Sequence, residues 1–156
     1  MIHKLNKSFL LFLFLIVISG SAAFAQTADD SVKTVINNLF MAMKNADAAL
    51  LKTVFADSAI LQTIAKNKAG ETIIRNEQVA EFIDFVSKQP KGGADEQISF
   101  ASIKIDGDLA SVWTPYKFYY NGNFSHCGVN SFQLVRLKNE WKIQFLIDTR
   151  RKKGCE

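Results

Sequence analysis

Three turn signals divide the chain beyond Asp95, and they constrain its fold more than any other feature. Asp106-Gly107-Asp108, Asn121-Gly122-Asn123 and Lys138-Asn139-Glu140 each place turn-forming residues between apolar stretches. Ile98, Phe100, Ile103 and Ile105 precede the first turn. The segments that follow run from Leu109 to Tyr120, from Phe124 to Leu137 and from Trp141 to Asp148. Aromatic and β-branched residues dominate them, as half-buried strands require. The whole stretch reads as an antiparallel meander.

The preceding part is helical in period. Val32, Val35, Ile36, Leu39, Phe40 and Met43 recur on one face of a helix from Asp30 to about Asn45, with Asp29, Asp30 or Ser31 available as its N-cap. Asp47 can cap a second, short helix that buries Leu50, Leu51, Val54 and Phe55. Alternation from Ala59 to Ile64 fits a first strand, opened by Asp57, and a loop follows from Lys66 to Gly70. A third helix is expected from Asn76 to Ser87 with Val79, Phe82, Ile83 and Val86 on one face. Gln89-Pro90-Lys91-Gly92-Gly93 ends it. Helices first and a meander afterwards make the class α+β.

Lys4 and Lys7, ten apolar residues from Phe9 to Ile18, and Ala23-Phe24-Ala25 follow the order of a cleavable signal peptide ending near Ala25. The apolar run spans about 15 Å as a helix, short of the roughly 20 residues that cross a bilayer. Export to the periplasm or the medium is therefore expected, with no membrane span after cleavage. Removing residues 1–25 of the 156 leaves 131, enough for one domain (26–156) with a single core. The remainder carries 17 basic and 15 acidic side chains, a net charge of +2. No basic stripe offers a footprint for nucleic acid. Arg150-Arg151-Lys152-Lys153 is the one basic run, suited to a solvated chain end or to an anion. The spacing of His126 and the cysteines offers no metal set, and no cofactor motif is present.

Taking Asn139 and Glu140 as the loop of the last hairpin puts Leu134 opposite Phe145, Phe132 opposite Ile147 and Cys127 opposite Lys152. Cys155 then comes within reach of Cys127, and an exported chain can oxidise them to a disulfide. The same register sends His126 and Asp148 to opposite faces, so they form a dyad only if a bulge intervenes.

A short second helix running through Phe55-Ala56-Asp57-Ser58-Ala59 into a strand, the helix from Asn76 to Ser87, and the aromatic sheet together resemble the NTF2-like (nuclear transport factor 2-like) superfamily. Trp113-Thr114-Pro115-Tyr116, Ser125-His126-Cys127-Gly128 and Asp148-Thr149-Arg150-Arg151 resemble its exported bacterial group called "putative lumazine-binding" or SnoaL-like. The resemblance implies a cone, three helices packed on a strongly curved antiparallel sheet, with a pocket between the concave face and the first and third helices. A small apolar or aromatic molecule suits such a pocket. The superfamily also holds ketosteroid isomerase, scytalone dehydratase, epoxide hydrolase and members without catalysis, so the fold does not choose among them.

His126, Asp148 and Arg150 are the candidates for catalysis. His126 titrates near neutrality, whereas Asp148 and Arg150 leave one face of the last strand as an ion pair, or as a base beside a cation for an oxyanion. Trp113, Tyr116, His126, Asn130 and Phe132 are candidates for contact with a ligand. Pro115 suggests a bulge or an edge that would turn Trp113 or Tyr116 into the pocket. Three functions follow: an exported small-molecule-binding domain, a cofactor-independent isomerase, dehydratase or hydrolase, and a homodimeric interaction module joined through the outer sheet face.

Overall fold

The computed structural model describes residues 27–155, so the signal-peptide segment lies outside the described residues. Helix α1 spans Ala28–Asn45. Its N-cap is Thr27, whose Oγ1 accepts from the Asp30 amide at 3.1 Å, ahead of the expected cap positions. Asp29 and Asp30 then stand in the first turn, where the helix dipole favours negative charge. Ala46 turns left-handed (φ 54°) and ends the helix. Asp47 caps α2 (Ala48–Val54) as expected, through a 2.9 Å bond from the Leu50 amide to Oδ1.

Strand β1 begins directly at Phe55 and runs to Lys66. The segment after it corrects the expectation. Thr72–Glu77 form strand β2, antiparallel to β1, and helix α3 starts only at Val79 and ends at Ser87. Asn76 and Glu77 are thus strand residues. The β-branched run Thr72-Ile73-Ile74 favours extended backbone over a helical turn. Asn67 closes the hairpin by accepting from the Ala69 and Glu71 amides, both at 2.9 Å, and Gly70 takes the left-handed turn position at φ 82°.

The apolar stretch before Asp106 is two strands, β3 (Ala94–Ile98) and β4 (Ser102–Asp106). Both pair with β5 (Leu109–Tyr120), β3 along Tyr116–Tyr120 and β4 along Leu109–Trp113. Pro115 sits at the break between them. Ser99 donates to its carbonyl at 3.0 Å, so the side of β5 on which proline lacks an N–H is the side where the pairing strand is interrupted. The expected bulge at Pro115 does not form; the register shift of β5 against β6 falls between Phe118 and Tyr119.

Strands β6 (Asn123–Leu137) and β7 (Glu140–Arg151) complete the sheet, in the order β2-β1-β7-β6-β5-β3 with β4 beside β5. The sheet is mixed, because β1 runs parallel to β7. The last hairpin turns on Lys138 and Asn139, both at positive φ (49° and 67°), in place of Asn139 and Glu140. A bulge between Gln133 and Leu134 then shifts the pairing once more. Beyond it Phe132 faces Leu146, Asn130 faces Asp148 and Cys127 faces Arg151, which corrects the expected partners Ile147 and Lys152. His126, Asn130, Asp148 and Arg150 consequently share one face. Cys127 and Cys155 form a disulfide with 5.7 Å between their Cα atoms.

The helices cover the concave face. Val32, Ile36 and Leu39 of α1, Leu51 of α2 and Val86 of α3 pack on Val112, Phe132, Leu134 and Ile143 with almost no exposure. Each side chain so buried contributes about 1.5–3 kcal/mol. Among the described residues no helix is long and apolar enough to cross a membrane.

Candidate functional site

Where the helices leave the far end of the sheet uncovered, a cavity of about 280 Å³ remains. Leu39, Phe40 and Met43 of α1, Phe82 and Phe85 of α3, and Phe118 make its apolar wall, while Glu77, Glu96, His126, Asn130, Asp148 and Arg150 make its polar one. Strand pairing explains the polar side. Thr114, Asn130, Asp148 and Thr63 lie on one rung across β5, β6, β7 and β1. Tyr116, Gly128 and Arg150 lie on the next.

Gly128 is required for what crosses that second rung. A Cβ there would stand 1.7 Å from the Thr149 carbonyl oxygen and 2.8 Å from the Tyr116 ring. Without one, the Tyr116 ring passes over β6, and its one hydroxyl proton is shared between the Thr149 carbonyl at 2.9 Å and Asp148 Oδ2 at 3.1 Å. Arg150 Nε donates to the same oxygen at 2.8 Å, and its Nη2 reaches Thr63 Oγ1 at 3.2 Å. Asp148 is thus held from two sides. Burial pushes the Tyr116 hydroxyl above its ordinary range, and the neighbouring Asp148 and Glu96 carboxyls push it the same way, so it stays a donor. Burial works against the Arg150 charge, but Asp148 more than offsets it and the guanidinium stays charged.

Glu96 stands on β3, one rung along from Tyr116, facing Phe118, which in turn faces His126. Asn130 Nδ2 donates to Glu96 Oε1 at 2.8 Å. Oε2 accepts no hydrogen bond from the described residues. Burial, with a smaller push from Asp148, raises this carboxyl to about 7, against the pull of the Asn130 bond and Arg150. Burial also raises Glu77, with Arg150 pulling it back. His126 is lowered, first by burial and then by the Arg150 charge, so its imidazole is neutral at pH 7. Its Nδ1 lies 3.0 Å from Ser125 Oγ, and its ring packs on Tyr116 and Phe118 with centroids 5.7 and 5.1 Å away.

The structure therefore brings His126, Asn130, Asp148 and Arg150 to one cavity and sets Tyr116 behind Asp148. Two expected ligand contacts lie elsewhere. Trp113 is 50% exposed on the opposite face of β5, because residues of odd number there point away from the helices. Phe132 is wholly buried in the core, edge-on to Phe40 at 6.3 Å. Glu96 and Glu77 were not anticipated. Glu96 had a signal: Ala94, Glu96 and Ile98 alternate onto one face, so an acid falls at an inward position. Glu77 had none, since its segment read as helix. Among the described residues no three His, Cys, Asp or Glu side chains gather to hold a metal ion.

The fold recurs widely among solved structures. An NTF2-like protein of unknown function from Shewanella oneidensis MR-1 superposes with a TM-score of 0.62 at 13% identity, covering 79% of this chain and 99% of its own. A protein of unknown function with a cystatin-like fold from Nostoc punctiforme gives 0.62 at 16% identity, with 81% and 95% coverage. A Streptomyces avermitilis protein described as "a putative dehydratase from the NTF2-like family" gives 0.56 at 13%, with 78% and 94% coverage. Likeness at such identities shows the fold alone. No curated protein sequence is significantly similar to this chain. The family model described as "Putative lumazine-binding" matches residues 27–144, which is most of the described chain, and the chain belongs to that family, with an NTF2-like fold.

Proposed function

We propose that this is an exported domain that binds one small molecule with a ring-sized apolar body in the open end of its cone. The observation that carries this reading is the two-sided cavity, phenylalanines on one wall and fixed hydrogen-bonding groups on the other. Such a division of labour is that of a ligand pocket, where apolar area supplies affinity and a few polar groups set orientation. The family description points the same way. Export rests on the Lys4 to Ala25 segment.

A catalytic reading has one observation in its favour, the Glu96 carboxyl that titrates near neutrality inside the cavity, where an acid–base group is most effective. Against it, Asp148, the carboxylate expected to act as base, already accepts from Tyr116 and Arg150. A homodimer is favoured by Ile60 and Trp113, both about half exposed, which stand with Phe145 and Ile147 on the sheet face away from the helices.

Native mass spectrometry of the protein recovered after expression from Met1 tests all three parts. The expected species starts at Gln26 and carries a small molecule at one per chain. A species retaining residues 1–25 overturns export. An empty chain that takes up no member of an aromatic panel overturns the cavity reading, and a monomer at micromolar concentration overturns the dimer.

A further inference from the structure

We propose that the cavity selects an amine-bearing aromatic molecule, its ring among Phe40, Phe82 and Phe118 and its ammonium group on the Glu96 carboxylate. This inference rests on the cavity reading above and names the ligand's chemistry. Three observations carry it together.

The first is the charge inventory of the cavity. Glu77 from β2, Glu96 from β3 and Asp148 from β7 face the cavity, and among the described residues Arg150 is the one cationic side chain that lines it. Arg150 is paired through Nε with Asp148 at 2.8 Å, and its Nη2 reaches Thr63 Oγ1 at 3.2 Å. His126 from β6 is held neutral and adds no positive charge. Lys66, Arg75 and Glu81 lie in the outer groove beyond Glu77 and Arg150 and do not line the cavity. Lys44 of α1 is turned to Asp95, the neighbour of Glu96 on the opposite side of β3. An anionic ligand would therefore meet two carboxyl groups, while the charge of Arg150 is already balanced by Asp148, and like charges brought together repel.

The second is the state of Glu96 itself. One of its oxygens is fixed by Asn130 and the other accepts no hydrogen bond among the described residues. A carboxyl with a fixed orientation and one open acceptor presents a site for an N–H donor, and a charged donor gives the stronger bond. The third is the position of that oxygen relative to the rings. Glu96 is the register partner of Phe118, and Phe40 and Phe82 line the same cavity. A ring seated on these side chains has its polar substituent beside the carboxyl, and aromatic faces themselves attract a cation.

The proton balance follows from the same geometry. An ammonium group binds the ionised form of Glu96, so at about pH 7, where that carboxyl is near half-protonated, binding releases protons. Glu77 is raised in the same sense, so it does not oppose this balance. A ligand whose carbonyl accepted from the protonated acid would instead take protons up.

Isothermal titration of tryptamine, tryptophol and indole-3-acetate into the mature protein, in two buffers of different ionisation enthalpy, separates these cases. The expected result is tryptamine at least about tenfold tighter than tryptophol, indole-3-acetate weakest, and proton release on tryptamine binding. Glu96→Gln should abolish the tryptamine preference, bringing tryptamine and tryptophol to similar affinities. Should that variant fail to fold, the native protein carries the test alone, because its tryptamine affinity should rise about tenfold or more between about pH 5 and about pH 8. Equal or tighter binding of tryptophol, or proton uptake, overturns the amine assignment and leaves the cavity reading standing. No binding of any of the three at millimolar concentration overturns both.

Discussion

The hairpin end and the cavity end of the cone are built from the same three strands and the same face of the sheet. At the hairpin end Val112, Phe132 and Leu146 follow one another across β5, β6 and β7. One rung further, Thr114, Asn130 and Asp148 occupy the equivalent places. Burial barely changes, since Asn130 and Asp148 are 4% and 7% exposed. Chemistry changes completely. A core needs only apolar volume, whereas each buried polar group must find a partner, so the second rung is fixed by directed bonds to Tyr116, Arg150 and Glu96. Apolar packing is therefore concentrated at one end and directed polar bonding at the other.

The contrast breaks first at Phe132. Phe132→Ala leaves a hole between α1 and the sheet that neither rigid neighbour can close, and should cost about 3–5 kcal/mol in urea unfolding. If the loss is under about 1 kcal/mol, the hairpin end is not the stabilising half.

Glu96 should behave in the opposite way. Its carboxyl is raised in the folded state, so the folded chain holds a proton there that the unfolded chain releases above about pH 4.5. The stability present below that point is lost as pH rises towards about 7. Glu96→Gln keeps the shape and removes the titration. Relative to the native protein, the variant should gain about 2–3 kcal/mol between about pH 4.5 and about pH 7.5, read from unfolding curves at both. A constant difference across that window would mean that the cavity end does not desolvate its acid.

The two ends also differed in how legible they were. The core was readable because it depends on period alone: Val32, Ile36 and Leu39 recur at helical spacing, and Leu134 and Phe132 at strand spacing. The cavity depends on register, and register turned on one bulge. The turn at Lys138 and Asn139 shifts the pairing by an even step and leaves each residue on its expected face, and the bulge between Gln133 and Leu134 then moves His126 onto the face of Asp148. Nothing local announces that bulge. Glu77 was hidden for a related reason. Its segment alternates weakly on the sheet's edge, with Ile74 58% exposed, and so carries little of the inward pattern that marks a strand.

Thr114 gives the smallest and sharpest test of the boundary, because it stands on the polar rung without joining its network. Its side chain is fully buried, yet Oγ1 has no hydrogen-bond partner among the described residues. Facing Asn130 across the β5–β6 ladder, it occupies a position the core chemistry of Val112 would serve as well. Valine has nearly the same shape and no hydroxyl to desolvate. Thr114→Val should therefore raise stability by about 1 kcal/mol with the pH profile of Glu96 unaltered. A loss of similar size, accompanied by a shift in that profile, would show that the hydroxyl serves Asn130 and that the polar end of the sheet begins one residue deeper than its bonds indicate.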